Sequence, residues 1–312
     1  MTPPFALVIG EVLVDLIEGA DDAGSILYRP RFGGSPLNVA VGVRRLGADV
    51  EFVGSFGADV FGRRMREFLL SEDVGVDGSM EAGMGTCLSV AISEAGHVDY
   101  EYFGDFATMT QIPVVAPRLV SGATVVHAGS TAFNSDPAYA AVVDAYRRTR
   151  GFTTMDPNPR PFLIDDLPRY RDELEAAMTM VDLIKLSGDD VAYLYPGATV
   201  EQAARQMRGP GEATVIVTQA DRDTVLLSRQ DTLAIVVPPL EPVDTTGAGD
   251  SFMAYIIAAV VRDGPPTDIA TWVGLARHAN AAAAASCGVV GGATAMPTWE
   301  QVEDGIRADR SD

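Results

Sequence analysis

The sequence predicts one doubly wound α/β domain over residues 1–312, a mostly parallel sheet with helices on both faces, carrying a small β-sheet lid. Three observations predict it. From about residue 120, short apolar runs alternate with amphipathic stretches of helical length, as βαβ units require. The runs themselves are continuously apolar, which marks strands covered on both faces. Two earlier segments, roughly 11–32 and 86–104, alternate polar and apolar residues instead. That pattern fits half-exposed strands of a separate small sheet.

Taken in order, "FALVIG" is a buried strand, and the chain then alternates towards Asp15. "SPLNVAVGVRRLG" (35–47) has a Ser-Pro start, helical spacing and a terminal Gly47, and so reads as a helix. "DVEFVGSFG" is a strand entering a glycine turn, and "FGRRMREFLLSEDVG" an amphipathic helix. Residues 85–104 form a hairpin around Glu94-Ala95-Gly96. "ATVVHAGS", "GFTTMDPN", "VDLIKLS" and "ATVIVTQA" are strands, separated by the helices "PAYAAVVDAYRRTR", "LPRYRDELEAAMTM" and "TVEQAARQMRG". Residues 223–239 add a hairpin, and the segment from Asp250 through "TWVGLARHANAAAAAS" is helical. Neither an internal repeat nor a low-complexity linker divides the chain.

Composition narrows the function. With 23 basic and 43 acidic residues, the net charge is −20, a surface that repels nucleic-acid backbones. Lys185 is the only lysine, the other 22 basic residues being arginines. Cys87 and Cys287 stand far apart without a CxxC pattern, and His97, His127 and His278 are scattered, which argues against a disulfide framework and structural zinc. The N-terminus lacks the basic start of a signal peptide, and no apolar run approaches membrane-spanning length, so a cytoplasmic protein is expected.

The stretch "DTTGAGDSF" (244–252) carries the chemistry. Gly247, Ala248 and Gly249 precede the apolar run that begins at Phe252. Small residues there leave the first amides of a helix open, which makes an anion site. Alone, such a turn is equally well explained as a strand-to-helix connection with a capping acid. Neither GxxxxGK[ST] nor a post-strand GxGxxG is present. A weakly basic carboxylate at Asp250 is ill suited to deprotonating carbon. It suits phosphoryl transfer, where the base mainly orients a hydroxyl.

With its context, the stretch resembles the C-terminal signature of the ribokinase-like (PfkB) carbohydrate kinases. "GGSPLNVAVGVRRLG" and "ADVEFVGSFG" resemble the N-terminal one, through Gly33, Gly34, Asn38, Ala40, Gly47 and Gly57. The likeness runs from about residue 6 to about 300. It implies an ATP- and Mg2+-dependent sugar kinase with Asp250 as base and the amides of Gly247, Ala248, Gly249 and Asp250 as anion hole. Asp15, Gly33, Gly34 and Asn38 would hold sugar hydroxyls. Asp244 and Thr246, with carbonyls around Ser286, Val289 and Gly291, resemble a site for K+, although Ala295 stands where the family often has serine. Asn280 falls in the segment that flanks the adenine in the family.

"GEVLVDLI", "DPNPRP" and "VDLIKLSGDDVAYLYPG" are most similar to bacterial fructokinases. This places Asn158 and Arg160 at the acceptor, Lys185 and Ser187 at the nucleotide, and Asp190 near Mg2+ through water. Two departures are visible. The family's Thr-x-Gly-x-x-Gly nucleotide loop is "TQADRD", with Thr218 kept but Ala220 and Asp223 replacing the glycines. "YEYFGDFATMT" lacks the arginine expected after the lid strand of fructokinases. Fructose is the leading acceptor; ribose, tagatose, 2-keto-3-deoxygluconate, a nucleoside, or a non-catalytic binding role are the alternatives. The lid's sheet edge offers a homodimer contact.

Overall fold

The first apolar run forms strand β1 (Phe5–Ile9), and its side chains feed two cores at once. Ala6 and Val8 pack with helices Ser35–Arg45 and Ala248–Asp263, while Leu7 and Ile9 pack with helix Asp136–Arg148 on the opposite side. This alternation is the period of two that a strand imposes, and it places helices on both faces as predicted. A computed structural model describes residues 3–20, 24–94, 97–209, 211–229 and 231–309.

The remaining strands are β2 (Leu13–Ala20), β3 (Ile26–Gly33), β4 (Asp49–Val53), β5 (Ser55–Phe56), β6 (Met80–Glu81), β7 (Leu88–Glu94), β8 (His97–Phe103) and β9 (Val125–Gly129), then β10 (Phe152–Asp156), β11 (Leu183–Ser187), β12 (Thr214–Gln219), β13 (Arg222–Leu227) and β14 (Thr232–Ile235). The large sheet runs β14-β13-β12-β11-β10-β9-β1-β4. From β4 to β12 it is parallel, and the predicted hairpin β13–β14 closes one edge in antiparallel sense. A four-stranded sheet, β3-β2-β7-β8, corresponds to the two early alternating segments. The predicted turn residues Ala95 and Gly96 lie outside the described residues. Small elements not foreseen include the β5–β6 pair and the short helices Ala107–Thr110, Pro117–Gly122 and Gly188–Leu194.

Helix Ser35–Arg45 crosses helix Ala248–Asp263 at very short range. A Cβ on Gly42 would lie 2.6 Å from the Ala254 Cβ and 3.2 Å from the Met296 sulfur. Only glycine permits that approach. We expect Gly42→Val to cost roughly 1–3 kcal/mol through overpacking, read as a lowered melting temperature. Unchanged melting would mean that the helices separate freely at this crossing.

Candidate active site

The parallel strands β1, β9, β10, β11 and β12 all deliver their carboxyl ends to the same side, where open α/β sheets hold ligands. A cleft of about 340 Å³ lies there, lined from both sheets. The large sheet and its helices contribute Asn38, Asn158, Arg160, Lys185, Ser187, Asp190, Thr246, Gly247, Gly249 and Asp250; the small sheet contributes Asp15, Ser89, Tyr100 and Tyr102.

Asp250 is the third residue of helix Ala248–Asp263, and is 7% exposed. Ser35 Oγ donates to its Oδ1 at 2.6 Å, and Asn38 Nδ2 donates to its Oδ2 at 2.7 Å. Gly247 caps the helix in the left-handed region (φ 83°), which glycine adopts without strain. The Ala248 amide donates to the Thr245 carbonyl at 3.2 Å. Among the described residues the Gly249 and Asp250 amides have no protein acceptor, as expected for the first turn of a helix. A carboxyl group thus stands beside open donors. Asn38 was expected on the sugar; the hydrogen bond it makes here is to Asp250, and its buried Oδ1 has no partner among the described residues.

Across the cleft, strand register places Arg31, Asp15, Ser89 and Tyr102 in one row on one face of the small sheet. Tyr100 lies on the same face, two residues from Tyr102. Gly34, which starts helix Ser35–Arg45, also lines the cleft; Gly33 is the strand partner of Leu13 just outside it. Burial pushes the Asp15 carboxyl up to about 6, with the Ser89 hydroxyl and Arg160 acting in the opposite sense. Arg31 Cδ would be 3.5 Å from a Cβ on Gly291, so this lid arginine packs on the loop after helix Ile269–Ser286.

Arg160 Nη1 donates to the Asn158 carbonyl at 3.1 Å and to its Oδ1 at 2.5 Å, in a turn where Asn158 has φ 38°. Ser187 and Asp190 form a reciprocal capping box on helix Gly188–Leu194, Asp190 Oδ2 accepting from the Ser187 amide at 2.7 Å. The other Asp190 oxygen is uncommitted among the described residues. Lys185 is buried and donates to Asp156 Oδ2 at 2.8 Å.

Thr218, Ala220 and Asn280 do not line the cleft. Thr218 Oγ1 donates to the Leu186 carbonyl at 3.3 Å, and Asn280 Oδ1 accepts from Thr224 Oγ1 at 3.0 Å. Ala220 has φ 54°, so this turn keeps the left-handed backbone of a glycine without the glycine. Asp223 is exposed and alternates with buried Thr224, on the face opposite Asn280. Asp244 Oδ1 accepts from the Thr246 amide at 2.9 Å and its Oδ2 from the Gly291 amide at 2.8 Å; the Ser286 carbonyl accepts from the Val289 amide at 3.2 Å. The residues read as a cation site are thus brought together, with Asp244 as their staple.

Sequence reasoning missed Ser35, Ser89, Tyr100, Tyr102 and Asp156. The alternation in "DYEYF" puts the two tyrosines on one face but leaves open which face.

The fold and the carboxylate at an open helix start define a phosphotransferase of the ribokinase type. The pattern of the pfkB family of carbohydrate kinases matches residues 4–299, and the chain belongs to that family. It is a carbohydrate kinase. It is 32% identical over 308 residues to a fructokinase of Klebsiella pneumoniae, covering 95% of this chain and 97% of that one. A Salmonella typhimurium fructokinase is 28% identical, over 93% and 95%. In structure, the chain is similar to Xylella fastidiosa fructokinase with bound ATP (TM-score 0.87, 23% identity, 99% of both chains). A Vibrio cholerae fructokinase holding fructose, ADP and calcium gives 0.85 at 20% identity, covering 97% of this chain and 99% of that one.

Two outcomes follow from the geometry. Asp15 accepts hydroxyl hydrogen bonds best when ionised, and with its carboxyl raised to about 6 that form is lost as pH falls through 6. With Asp15 as an acceptor ligand, as the sequence led us to expect, acceptor KM should climb below pH 6, approaching tenfold per pH unit, and Asp15→Asn should flatten this limb; a wild-type KM that stays constant down to pH 5 contradicts that role. Ala220→Gly should raise unfolding free energy by about 0.5–1 kcal/mol, since relief of left-handed strain exceeds the entropy cost. Denaturant titration checks the sign.

Proposed function

We propose that the protein transfers the γ-phosphoryl group of ATP to a hydroxyl of a sugar, fructose being the preferred acceptor. The observation that carries this is the Asp250 carboxylate, fixed by Ser35 and Asn38 beside two open amides and across a small cleft from Asp15. The fructokinase names of the relatives and the ATP bound in the Xylella structure support the choice of substrates.

In this reading Asp15, Asn158 and Arg160 hold the acceptor's oxygens, and Asp250 takes the proton of the hydroxyl as its oxygen bonds to the γ-phosphorus. The bond from that phosphorus to the bridging oxygen of ADP breaks, and the Gly249 and Asp250 amides receive the equatorial charge. The lid row of Asp15, Ser89 and Tyr102 excludes water as it closes. Mg2+ fits the uncommitted oxygen of Asp190 through water, in keeping with that ion's preference for few carboxylates and retained waters; an E. coli protein assigned as ribokinase II has been solved with ATP and Mg2+. When bound, it neutralises phosphate charge. K+ beside Asp244 and the carbonyls of the 286–291 loop would strengthen the anion hole from behind.

The two cysteines are free and buried, and among the described residues no helix is long and apolar enough to cross a membrane. We assign the protein to the cytoplasm. Ile26, Tyr28 and Phe103 are exposed on the lid face opposite Asp15, next to the sheet's two edges, and support a homodimer through the lid.

The test is ADP release at fixed Mg-ATP and K+ with fructose, ribose, tagatose, 2-keto-3-deoxygluconate and adenosine. Turnover should be greatest on fructose and fall about 10²–10⁴-fold in Asp250→Ala, the usual worth of a general base. Preference for 2-keto-3-deoxygluconate would reassign Arg160 to a carboxylate. Turnover on none would make the protein a binding relative of the kinases.

A further inference from the structure

A chain that uses arginine at 22 positions keeps its single lysine at the centre of the large sheet. Lys185 is 4% exposed, and the Asp156 carboxylate that receives its hydrogen bond is fully buried at the end of the neighbouring strand β10. A Cβ on Gly249 would stand 2.6 Å from the ammonium nitrogen. The positive charge therefore lies directly beneath the turn whose open amides face the cleft. That contact gives Gly249 a reason to be glycine, and it gives this site a reason to hold a lysine. The space admits a compact ammonium, whereas a planar guanidinium with its wider fork requires more.

A buried ammonium tends to shed its proton. Burial acts in that sense on Lys185, but the carboxylates of Asp156, Asp190 and Asp250 outweigh it, and the net shift is upward. Burial raises the Asp156 carboxyl to about 6, opposed by Lys185, which still leaves it ionised at neutral pH. The pair is also oriented. Its negative end sits back in the sheet, and its positive end reaches the turn. Asp156 Oδ1 has no partner among the described residues, so the carboxylate is committed to Lys185.

We propose that Asp156 is a positioning residue for phosphoryl transfer: by gripping Lys185 it fixes an ammonium under the Gly249 turn, where the transferring group accumulates negative charge. This rests on the kinase reading of that turn. Charge placed before the reaction costs no reorganisation during it, which is why preorganised groups contribute most to such steps. The competing explanation is a core ion pair that ties β10 to β11 and does nothing for the chemistry.

The lone lysine makes the two separable. Lysine labelled with 15N at Nζ gives one side-chain ammonium resonance, and it must be Lys185. In the wild type this resonance should shift when Mg-ADP and aluminium fluoride, a mimic of the transferring phosphoryl group, are added, and should hold still with adenosine. The shift should survive in Asp250→Ala and disappear in Asp156→Asn. With fructose, Asp156→Asn should lose at least 30-fold in kcat at a temperature where it is folded, with acceptor KM within threefold of wild type. Lys185→Arg should lose a similar factor despite keeping the charge. A wild-type resonance indifferent to the mimic, or a folded Asp156→Asn enzyme with wild-type kcat, would overturn the proposal. Full activity in Asp250→Ala with an intact Lys185 shift would instead remove the base assignment and leave the Asp156 proposal standing.

Discussion

The close crossing of helices Ser35–Arg45 and Ala248–Asp263 is the constraint on which the candidate site depends. With nothing but a hydrogen on Gly42 facing Ala254, the two axes come near enough for Ser35 and Asn38 to reach both oxygens of Asp250. Those hydrogen bonds fix the carboxylate plane. The apolar run behind Phe252, entirely buried, anchors the same helix in the core. Packing far from the cleft thereby sets geometry within it.

The site also resolves a conflict of charge. A chain of net charge −20 that takes a nucleotide must attract a polyanion through an acidic surface. Around the cleft, Asp15, Asp190 and Asp250 add to the difficulty. The answer is local: open amides, a guanidinium on Arg160 and a single ammonium on Lys185, all where solvent is largely excluded and each charge acts at short range. Overall charge governs what stays away from the protein, while in the proposed function these few groups receive the nucleotide.

Much of this was legible in the sequence. Alternation of apolar runs with amphipathic stretches located the strands of the large sheet, because strands covered on both faces must be apolar throughout. The "GAGD" turn was legible only in context, through the Asp-Thr-Thr before it and the matching glycine pattern of the N-terminal half. What stayed hidden were pairings across the chain. Asn38 could be assigned to the site, but its hydrogen bond to Asp250 depends on a helix crossing that no local pattern encodes. Lys185 stood out by its rarity, yet nothing in the sequence marked Asp156, at the end of the "GFTTMDPN" strand, as its partner. Ala220 is the reverse case. It departs from the glycine expected there, and the backbone retains the glycine's conformation regardless.

Ser35 and Asp250 touch across 215 positions of sequence. Contacts of such long range form late, after the loop entropy of most of the chain has been lost. Helices Ser35–Arg45 and Ala248–Asp263 must both be in place before the carboxylate has its partners. The candidate site is therefore a product of complete folding: a nascent chain still missing its last quarter holds most of the sheet but neither Asp250 nor the glycine turn before it.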